Sequence, residues 1–255
     1  ATGSAVIAQE NAPIITGKAE IAITEGTFVC DFTLSEMPRI AKYQIRLNKG
    51  MNVLNFVRVS KYFVLGYEKE EAEYESEAYY FPDNTGEGRY MPGKLRVRYT
   101  GKYPVAADTL SHYTRTDWKG NIAFNGYSVR TDGAQSCWYP VLYDVDNDVL
   151  YDKVRYDIEI TCKDAEVLYV NGSLPSDGPT ARFRSDTPFE LALFMGNFGL
   201  RKSGDTYFLN PDINDAQIAE FSGFTDDFKA YYERKLFIPY NQPITYVNTA
   251  PTSKY

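Results

Sequence analysis

The sequence predicts an all-β protein, an antiparallel β-sandwich or saddle with a C-terminal helix–strand extension. Two observations predict this fold: apolar and polar residues alternate along many short segments, and the pattern becomes helical after about residue 209. Alternation with a period of two puts apolar side chains on one face of a half-buried strand. Many short strands with turn residues between them are typical of paired antiparallel sheets.

The strongest strand signal lies at 153–162, where the alternation has no error. Its apolar positions are Val154, Tyr156, Ile158, Ile160 and Cys162, and its polar positions are Lys153, Arg155, Asp157, Glu159 and Thr161. We expect the apolar set to face the core and the polar set to face water. A second segment, at 93–100, repeats the pattern with Leu95, Val97 and Tyr99 opposite Lys94, Arg96 and Arg98.

Weaker alternation predicts the other strands. Asn, Asp, Gly and Pro cluster between the apolar runs, and these residue types favour turn conformations. The predicted strands lie at 19–24, 27–34, 41–47, 52–58, 61–67, 77–81, 121–129, 166–171 and 187–195.

A helix is predicted at 214–237, followed by a short strand at 244–247. The i, i+4, i+7, i+8 spacing of an amphipathic helix is met by Phe224, Phe228, Tyr231 and Tyr232. Asn214 or Asp212 can cap the start of this helix, and Pro239 ends it.

We divide the chain into a β domain at 1–205 and a helix–strand segment at 206–255. The aromatic face of the helix needs a cover, because exposed aromatic side chains forgo the free energy of burial. The strand at 244–247 also presents unpaired backbone groups. We therefore expect that Tyr255 is not the natural end of the protein. The alternative, a complete chain whose helix packs back on the β domain, stays open.

The composition excludes several classes of function. The 255 residues include 27 Lys and Arg against 34 Asp and Glu, which gives a net charge of −7, and a single histidine. A negative chain without a basic stripe is not expected to bind nucleic acid, and no apolar run is long enough to span a membrane. One histidine excludes any zinc site that uses two. The wide spacing of Cys30, Cys137 and Cys162 favours three buried thiols over one disulfide and a free thiol.

Four aspartates at alternating positions are the candidate metal ligands of this chain. Asp144, Asp146, Asp148 and Asp152 resemble the first half of a calcium-binding loop. However, Val149 stands where such a loop needs glycine, and no glutamate follows at the last ligand position. We favour a solvated turn before the next strand and keep a weak calcium site as the alternative.

The remaining polar and aromatic clusters have structural interpretations. His112 has serine and aspartate neighbours, but neighbours in one loop do not define a catalytic triad, so we interpret it as a structural histidine. The acidic run at 68–77 is interpreted as a solvated loop or sheet edge. Trp118 and Trp138, together with the 22 tyrosines, would form a binding surface for sugars or peptides if they are exposed and clustered.

Five short segments of the chain carry recognisable motifs, and their order along the sequence is the informative feature. They are Gly-Lys-Leu-Arg-Val-Arg-Tyr-Thr-Gly at 93–101, Gly-Ala-Gln-Ser-Cys-Trp-Tyr-Pro at 133–140 followed by Asp144, the paired strands at 156–162 and 165–172, Phe-Glu-Leu-Ala-Leu-Phe-Met-Gly-Asn-Phe at 189–198, and Tyr-Tyr-Glu-Arg-Lys-Leu-Phe-Ile-Pro-Tyr at 231–240. Together they resemble the N-terminal region of aminopeptidase N-like zinc metallopeptidases. In that family a strand ends in Tyr-x-Gly, a Gln precedes an aromatic-Pro segment, and a helix end leads into Phe-Gly-x-Pro-Tyr.

The resemblance implies a non-catalytic N-terminal domain joined to the first elements of a thermolysin-like catalytic domain. The family's His-Glu-x-x-His and Gly-x-Met-Glu-Asn motifs are not in this sequence, so zinc is implied only for a full-length relative. Gln135 matches the family's substrate-lining glutamine. The implied partners are the missing C-terminal catalytic domain and a peptide substrate.

The alternative function is a stand-alone β-sandwich that binds protein or carbohydrate at a cell surface. The cellular location is left open by the sequence, with a secreted, periplasmic or cell-surface location slightly favoured.

Overall fold

Strands make up most of the regular structure in a computed structural model that describes residues 12–73, 75–82, 91–105, 122–210 and 212–248. Two short 3₁₀ turns lie at Val59–Lys61 and Ala134–Ser136, and one α-helix, α1, is described at Asp215–Leu236. The described strands are β1 Ile14–Ala22, β2 Thr27–Ser35, β3 Tyr43–Asn48, β4 Met51–Arg58, β5 Phe63–Leu65, β6 Glu68–Ala72, β7 Ser76–Tyr80, β8 Lys94–Lys102, β9 Ile122–Phe124, β10 Ser128–Thr131, β11 Val141–Asp144, β12 Val149–Tyr151, β13 Val154–Cys162, β14 Val167–Val170, β15 Ser176–Asp177, β16 Thr180–Phe189, β17 Leu193–Gly196, β18 Leu200–Ser203, β19 Thr206–Leu209 and β20 Ile244–Val247.

These strands form four sheets within the described ranges. A seven-stranded sheet has the order β16–β13–β1–β2–β8–β4–β5, and two five-stranded sheets have the orders β15–β14–β17–β10–β9 and β12–β11–β3–β7–β6. Neighbouring strands of these sheets are antiparallel except β1 and β13, which run parallel. The fourth sheet has the order β18–β19–β20. The predicted all-β fold with a C-terminal helix and strand is confirmed.

The hydrophobic core lies between the seven-stranded sheet and the two five-stranded sheets. Phe28 of β2 packs edge-to-face on Phe124 of β9, with ring centroids 5.5 Å apart. Phe56 of β4 packs in the same way on Phe81, which follows β7, at 4.9 Å. Such aromatic pairs add to the free energy of burial. One continuous core therefore joins the three sheets.

The alternation predicted at 153–162 is confirmed by β13. Its five apolar side chains are at most 1% exposed, and the polar ones lie on the opposite face. Ion pairs mark that outer face as a solvated one. Arg182 Nε donates to Asp157 Oδ1 at 2.6 Å, and Arg96 Nε donates to Asp31 Oδ1 at 2.6 Å.

The single strand predicted at 121–129 is wrong, because the chain turns in its middle. Strand β9 ends at Phe124 and β10 begins at Ser128. Between them, Asn125 Oδ1 accepts from the backbone N–H groups of Tyr127 and Ser128, at 3.0 and 2.8 Å. Gly126 takes a positive φ of 81°, a conformation that glycine adopts without steric cost. Local hydrogen bonds of an asparagine side chain thus replace the strand ladder.

The strand predicted at 187–195 is also wrong as one element. The structure ends β16 at Phe189 and begins β17 at Leu193. In the gap, the Leu191 carbonyl accepts from the Trp138 indole, and the Ala192 N–H donates to Asn171 Oδ1 at 2.7 Å. These side-chain bonds take the place of ladder pairing.

The acidic run at 68–77 forms a charged sheet edge, as predicted. Strand β6 is the outermost strand of its sheet, and four of its five residues are exposed. Lys69 Nζ donates to Glu77 Oε1 across the β6–β7 pair at 2.7 Å. Charged side chains on an edge strand oppose edge-to-edge association.

The helix begins and ends where the sequence predicts. Asn214 caps it by accepting from the Gln217 N–H at 2.9 Å, while the Gln217 side chain accepts from the Asn214 N–H at 3.0 Å. This reciprocal arrangement is a capping box. Phe237 closes the helix in the left-handed conformation. No helix in the described ranges has the length and apolar character needed to cross a membrane.

Most of the helix surface has no cover within the described residues. Only Ile218 and Thr225 are buried, where the helix meets Phe208 and Tyr246. The predicted aromatic face is exposed over roughly half of each side chain at Phe224, Phe228, Tyr231 and Tyr232. The strands β18, β19 and β20 lie under one end of the helix, and β20 is an edge strand of their sheet.

The two faces of β13 predict opposite responses to substitution. Ile158→Ala removes a side chain that is 0% exposed, and we expect it to lower the free energy of unfolding by about 2–5 kcal/mol. Asp157→Ala removes one partner of a solvated ion pair, and we expect a loss of less than about 1 kcal/mol. Chemical denaturation of both variants measures the two losses, and equal losses would contradict a strand with one solvated face.

Candidate functional site

The loop between β10 and β11 carries Gln135 and is held rigidly at its base. The Ser136 hydroxyl donates to the Asp132 carbonyl at 2.5 Å. The Ser136 carbonyl in turn accepts from Asn48 Nδ2 at 2.8 Å, and the Asn48 backbone N–H donates to the Cys137 carbonyl at 2.9 Å. Asn48 is fully buried. These bonds fix the loop to the end of β3.

The buried indole of Trp138 anchors the same loop in the core. Trp138 is 0% exposed, and its Nε1–H donates to the Leu191 carbonyl at 2.6 Å. Its own carbonyl accepts from the Tyr99 hydroxyl at 2.7 Å. The next residue, Tyr139, donates its hydroxyl to the Asp152 carbonyl at 2.7 Å. The aromatic-Pro segment therefore joins β8, the β12–β13 link and the β16–β17 link.

Gln135 is exposed in this loop, and an acidic side chain from a distant part of the chain packs on the same loop at Gly133. Glu190 packs so closely on Gly133 that a Cβ atom there would lie 2.4 Å from Glu190 Oε2. Only glycine leaves room for this contact. The Asp132 carboxylate lies 3.6 Å from the Arg130 guanidinium. Burial lowers the pKa of this guanidinium.

Asp152 is a second acidic residue in this region, close to Glu190 and to Tyr139. Burial raises its pKa above the ordinary 3.8, and the negative charge of Glu190 raises it further. Glu190 and Asp152 also raise the pKa of Tyr139, after the larger effect of burial. The loop thus carries an exposed amide at Gln135, and the Glu190 carboxylate packs on it at Gly133; amides and carboxylates can bind a peptide backbone and an ammonium group.

The aspartates of the solvated turn, for which a weak calcium site was the alternative, have partners within the protein. Asp144 Oδ1 accepts from the backbone N–H groups of Asp146 and Asn147, at 3.1 and 3.2 Å, as in a tight turn. Asp146 pairs with Lys42 at 3.3 Å, and Asp148 accepts from Tyr143. This geometry is that of the solvated turn between β11 and β12.

Asp152, the fourth of these aspartates, lies outside the hydrogen-bonded turn that Asp144 forms with Asp146 and Asn147. Asp152 follows β12 and lies near Glu190. In the part of the chain that the structure describes, no group of three or more His, Cys, Asp or Glu could hold a metal ion. The described residues therefore offer no ligand set for a zinc ion.

Two of the predicted features lie outside the described residues, namely His112 and Trp118. The three cysteines are all buried as free thiols, as predicted. Glu190 and Asp152 were not identified by sequence reasoning as part of the Gln135 site. Folding brings Glu190 to Gly133 and Asp152 near Glu190, and no local pattern in the sequence marks either contact.

The raised pKa of Asp152 predicts that Asp152→Asn stabilises the protein at neutral pH. A carboxyl with a raised folded-state pKa opposes folding once it ionises, and this penalty is full above the folded pKa and absent below the unfolded value of 3.8. We expect the variant to unfold at a higher denaturant concentration at pH 7 and to match the wild type as the pH falls toward 3.8.

Asp31→Asn is the matched control with the opposite sign. The hydrogen bond from Arg96 lowers the pKa of Asp31, so its ionised form stabilises the fold. This stabilisation is present above the ordinary 3.8 and is lost as the pH falls through the lowered folded value. A destabilising effect of Asp152→Asn at pH 7 would contradict the electrostatic description of the site.

Comparison with known proteins relates the fold to zinc metallopeptidases. Neither a protein-family profile nor a curated protein sequence matches the chain. Among solved structures, leukotriene A4 hydrolase from Saccharomyces cerevisiae is similar at a TM-score of 0.59 and 11% identity, over 92% of this chain and 37% of that one. The M1 zinc metallopeptidase from Deinococcus radiodurans, bound to a Tyr-Ser-Ala substrate, gives 0.56 and 12%, over 93% of this chain and 55% of that one.

These likenesses establish the fold. The chain spans between about a third and about a half of the length of the solved structures it resembles. The resemblance to aminopeptidase N-like metallopeptidases, predicted from five short segments, is confirmed at the level of the three-dimensional fold.

Proposed function

We propose that the chain is the non-catalytic N-terminal β domain of an aminopeptidase N-like metallopeptidase, with the first elements of its catalytic domain. The observation that supports this proposal is the coverage of the structural likeness. It takes in 92% of this chain but only 36% of the yeast leukotriene A4 hydrolase chain. A part of a larger enzyme is expected to match in this asymmetric way.

The structural match also extends into the helix–strand segment, which supports the proposal. The unmatched 8% of this chain amounts to roughly twenty residues, which is shorter than the span from α1 to β20. At least part of that span is therefore inside the match. The predicted division at 205/206 falls in the turn between β18 and β19, which pair with each other. We place the junction of the two parts before β18.

The exposed face of α1 is the surface that we assign to the rest of the catalytic domain. Phe224, Phe228, Tyr231 and Tyr232 are exposed on it, and Leu236 and Phe237 extend it at 62% and 90% exposure. Six exposed apolar side chains along one helix and its end are typical of an interaction site. The neighbouring edge strand β20 offers backbone hydrogen-bonding groups to a further strand.

Gln135 is placed in this proposal on the wall of the substrate cleft. Its loop is fixed to the core by the buried Trp138, and Gln135 itself is exposed. Its amide can donate to and accept from a peptide backbone. The Glu190 carboxylate, which packs on Gly133 of the same loop, suits the ammonium group of a peptide.

The alternative function, a stand-alone binding module, requires exposed tryptophans at Trp118 and Trp138, and Trp138 is buried. Trp138 is 0% exposed and donates to a backbone carbonyl, so it is a core residue and no part of a sugar-stacking surface. Trp118 lies outside the described residues. The secreted, periplasmic or cell-surface location expected from the sequence remains part of the proposal.

The proposal predicts that this polypeptide alone neither hydrolyses peptides nor binds stoichiometric zinc. It contains one histidine in 255 residues, whereas the family's site takes two from His-Glu-x-x-His. Purified chain should therefore give no turnover of an aminoacyl chromogenic substrate, and elemental analysis should find no equimolar zinc. Turnover that copurifies with equimolar zinc would contradict the proposal.

A second prediction concerns the uncovered helix face. Phe228→Ser removes a side chain that is 62% exposed, so we expect the free energy of unfolding of this chain to change by less than about 0.5 kcal/mol. The same variant should weaken binding of the C-terminal remainder of the native protein, supplied as a separate chain, in a pull-down or by calorimetry.

Ile218→Ala is the matched control on the same helix. Ile218 is 8% exposed and packs on Phe208 and Ile213, so its loss should cost about 2–5 kcal/mol in the isolated chain. A large stability loss from Phe228→Ser would mean that this face already packs on the β domain, and the docking assignment would then be wrong.

A further inference from the structure

A second exposed apolar surface lies far along the chain from α1, at the tip of the β4–β5 hairpin. We call residues 59–64 the hairpin tip. Within it, Tyr62, Phe63 and Val64 are 87%, 60% and 59% exposed. Isolated exposed apolar residues are ordinary, but three in a row on one loop are not.

The hairpin tip does not contribute to the core of the fold. The hairpin enters the core at Leu65, which pairs with Phe56, and both side chains are buried. Beyond that pair, the 3₁₀ turn Val59–Lys61 contains no buried residue. Its strand β5 is the outer strand of the seven-stranded sheet. The tip is therefore a protrusion from a sheet edge whose apolar side chains are free to contact another surface.

Among the residues that the structure describes, the charged side chains next to the tip are basic, in a chain whose net charge is −7. Lys61 lies within the tip and is exposed. The β4–β8 register pairs Arg58 with Leu95, which places the exposed Lys94 beside the 3₁₀ turn.

The acidic side chains nearest in the sheet are already paired with arginines. Asp31 accepts from Arg96 at 2.6 Å, and Glu36 accepts from Arg155 at 2.9 Å. The acidic strand β6 begins at Glu68, six residues beyond Tyr62, and belongs to a different sheet from the tip. The surroundings of the tip are thus electrostatically suited to an anionic surface.

We propose that the hairpin tip binds the surface of an anionic lipid bilayer. Tyr62 and Phe63 insert at the level of the headgroups, where aromatic side chains are favoured. Lys61 and Lys94 are drawn to the anionic lipids. The two kinds of contact act together, because a small apolar insertion alone gives only marginal and reversible binding.

A second copy of the chain fits this tip less well. A symmetric dimer would bring Lys61 and Lys94 of both copies together, which is repulsive. The edge strand β5 offers only three residues for pairing, far too few for the area that a stable interface buries. A narrow protrusion with a basic rim suits a fluid anionic surface.

Vesicle co-sedimentation of the whole 255-residue chain tests this proposal. We expect binding to vesicles of phosphatidylcholine and phosphatidylserine, little binding to phosphatidylcholine alone, and weaker binding as salt is raised. The paired substitution Tyr62→Asn with Phe63→Thr should lower the apparent partition coefficient by about tenfold or more. Asn tolerates the left-handed φ of 48° at position 62, and Thr suits a strand, so the fold should persist.

Two further variants assign the binding to the tip. Lys61→Gln with Lys94→Gln should reduce binding to the anionic vesicles and leave binding to phosphatidylcholine unchanged. Phe228→Ser on α1, the other exposed apolar surface, should leave both unchanged. The proposal is overturned if the tip variants bind like the wild type, if only the α1 variant loses binding, or if the wild type does not prefer anionic vesicles. It is also overturned if analytical ultracentrifugation shows a dimer that the tip substitutions dissociate.

Discussion

The burial of Trp138 is the interaction on which the rest of the structure depends. Its ring lies against Phe28 and Phe32 of the seven-stranded sheet, with centroids 6.3 and 6.0 Å away. A buried indole N–H that lacks a partner costs about 1–3 kcal/mol, and the Leu191 carbonyl satisfies it at 2.6 Å. That one bond fixes the β16–β17 link against the β10–β11 loop. Gln135 lies in that loop, three residues before Trp138.

Much of the fold could be predicted because its signals are local. In β13, each side chain's face is set by its position in a two-residue period, and the capping residues of α1 lie within one turn of its start. The breaks at Asn125 and Leu191 were missed. At both breaks, hydrogen bonds that involve side chains replace the strand ladder: two to Asn125 Oδ1 at the first, and those of Trp138 and Asn171 at the second. The parallel pairing of β1 with β13 was also beyond the sequence, because alternation is the same for either strand direction.

In the candidate site, too, some residues could be predicted from local sequence and others could not. Gln135 stands out in the sequence because it precedes an aromatic-Pro segment, whereas Glu190 lies in an unremarkable strand-like run. Its contact with Gly133 joins residues far apart in the chain, and only the fold creates it. The two exposed apolar surfaces differ in character: the face of α1 is broad and continuous with an open sheet, and the hairpin tip is narrow and rimmed by lysines. The first suits a protein domain and the second a lipid surface.

The central claim is that this β domain and helix belong to a larger metallopeptidase. The most direct test is the native reading frame beyond the codon for Tyr255, read from the transcript. The account predicts an open frame that encodes a further domain with His-Glu-x-x-His, a motif that this chain does not contain. A stop codon directly after Tyr255, in a transcript that is otherwise intact, would contradict it.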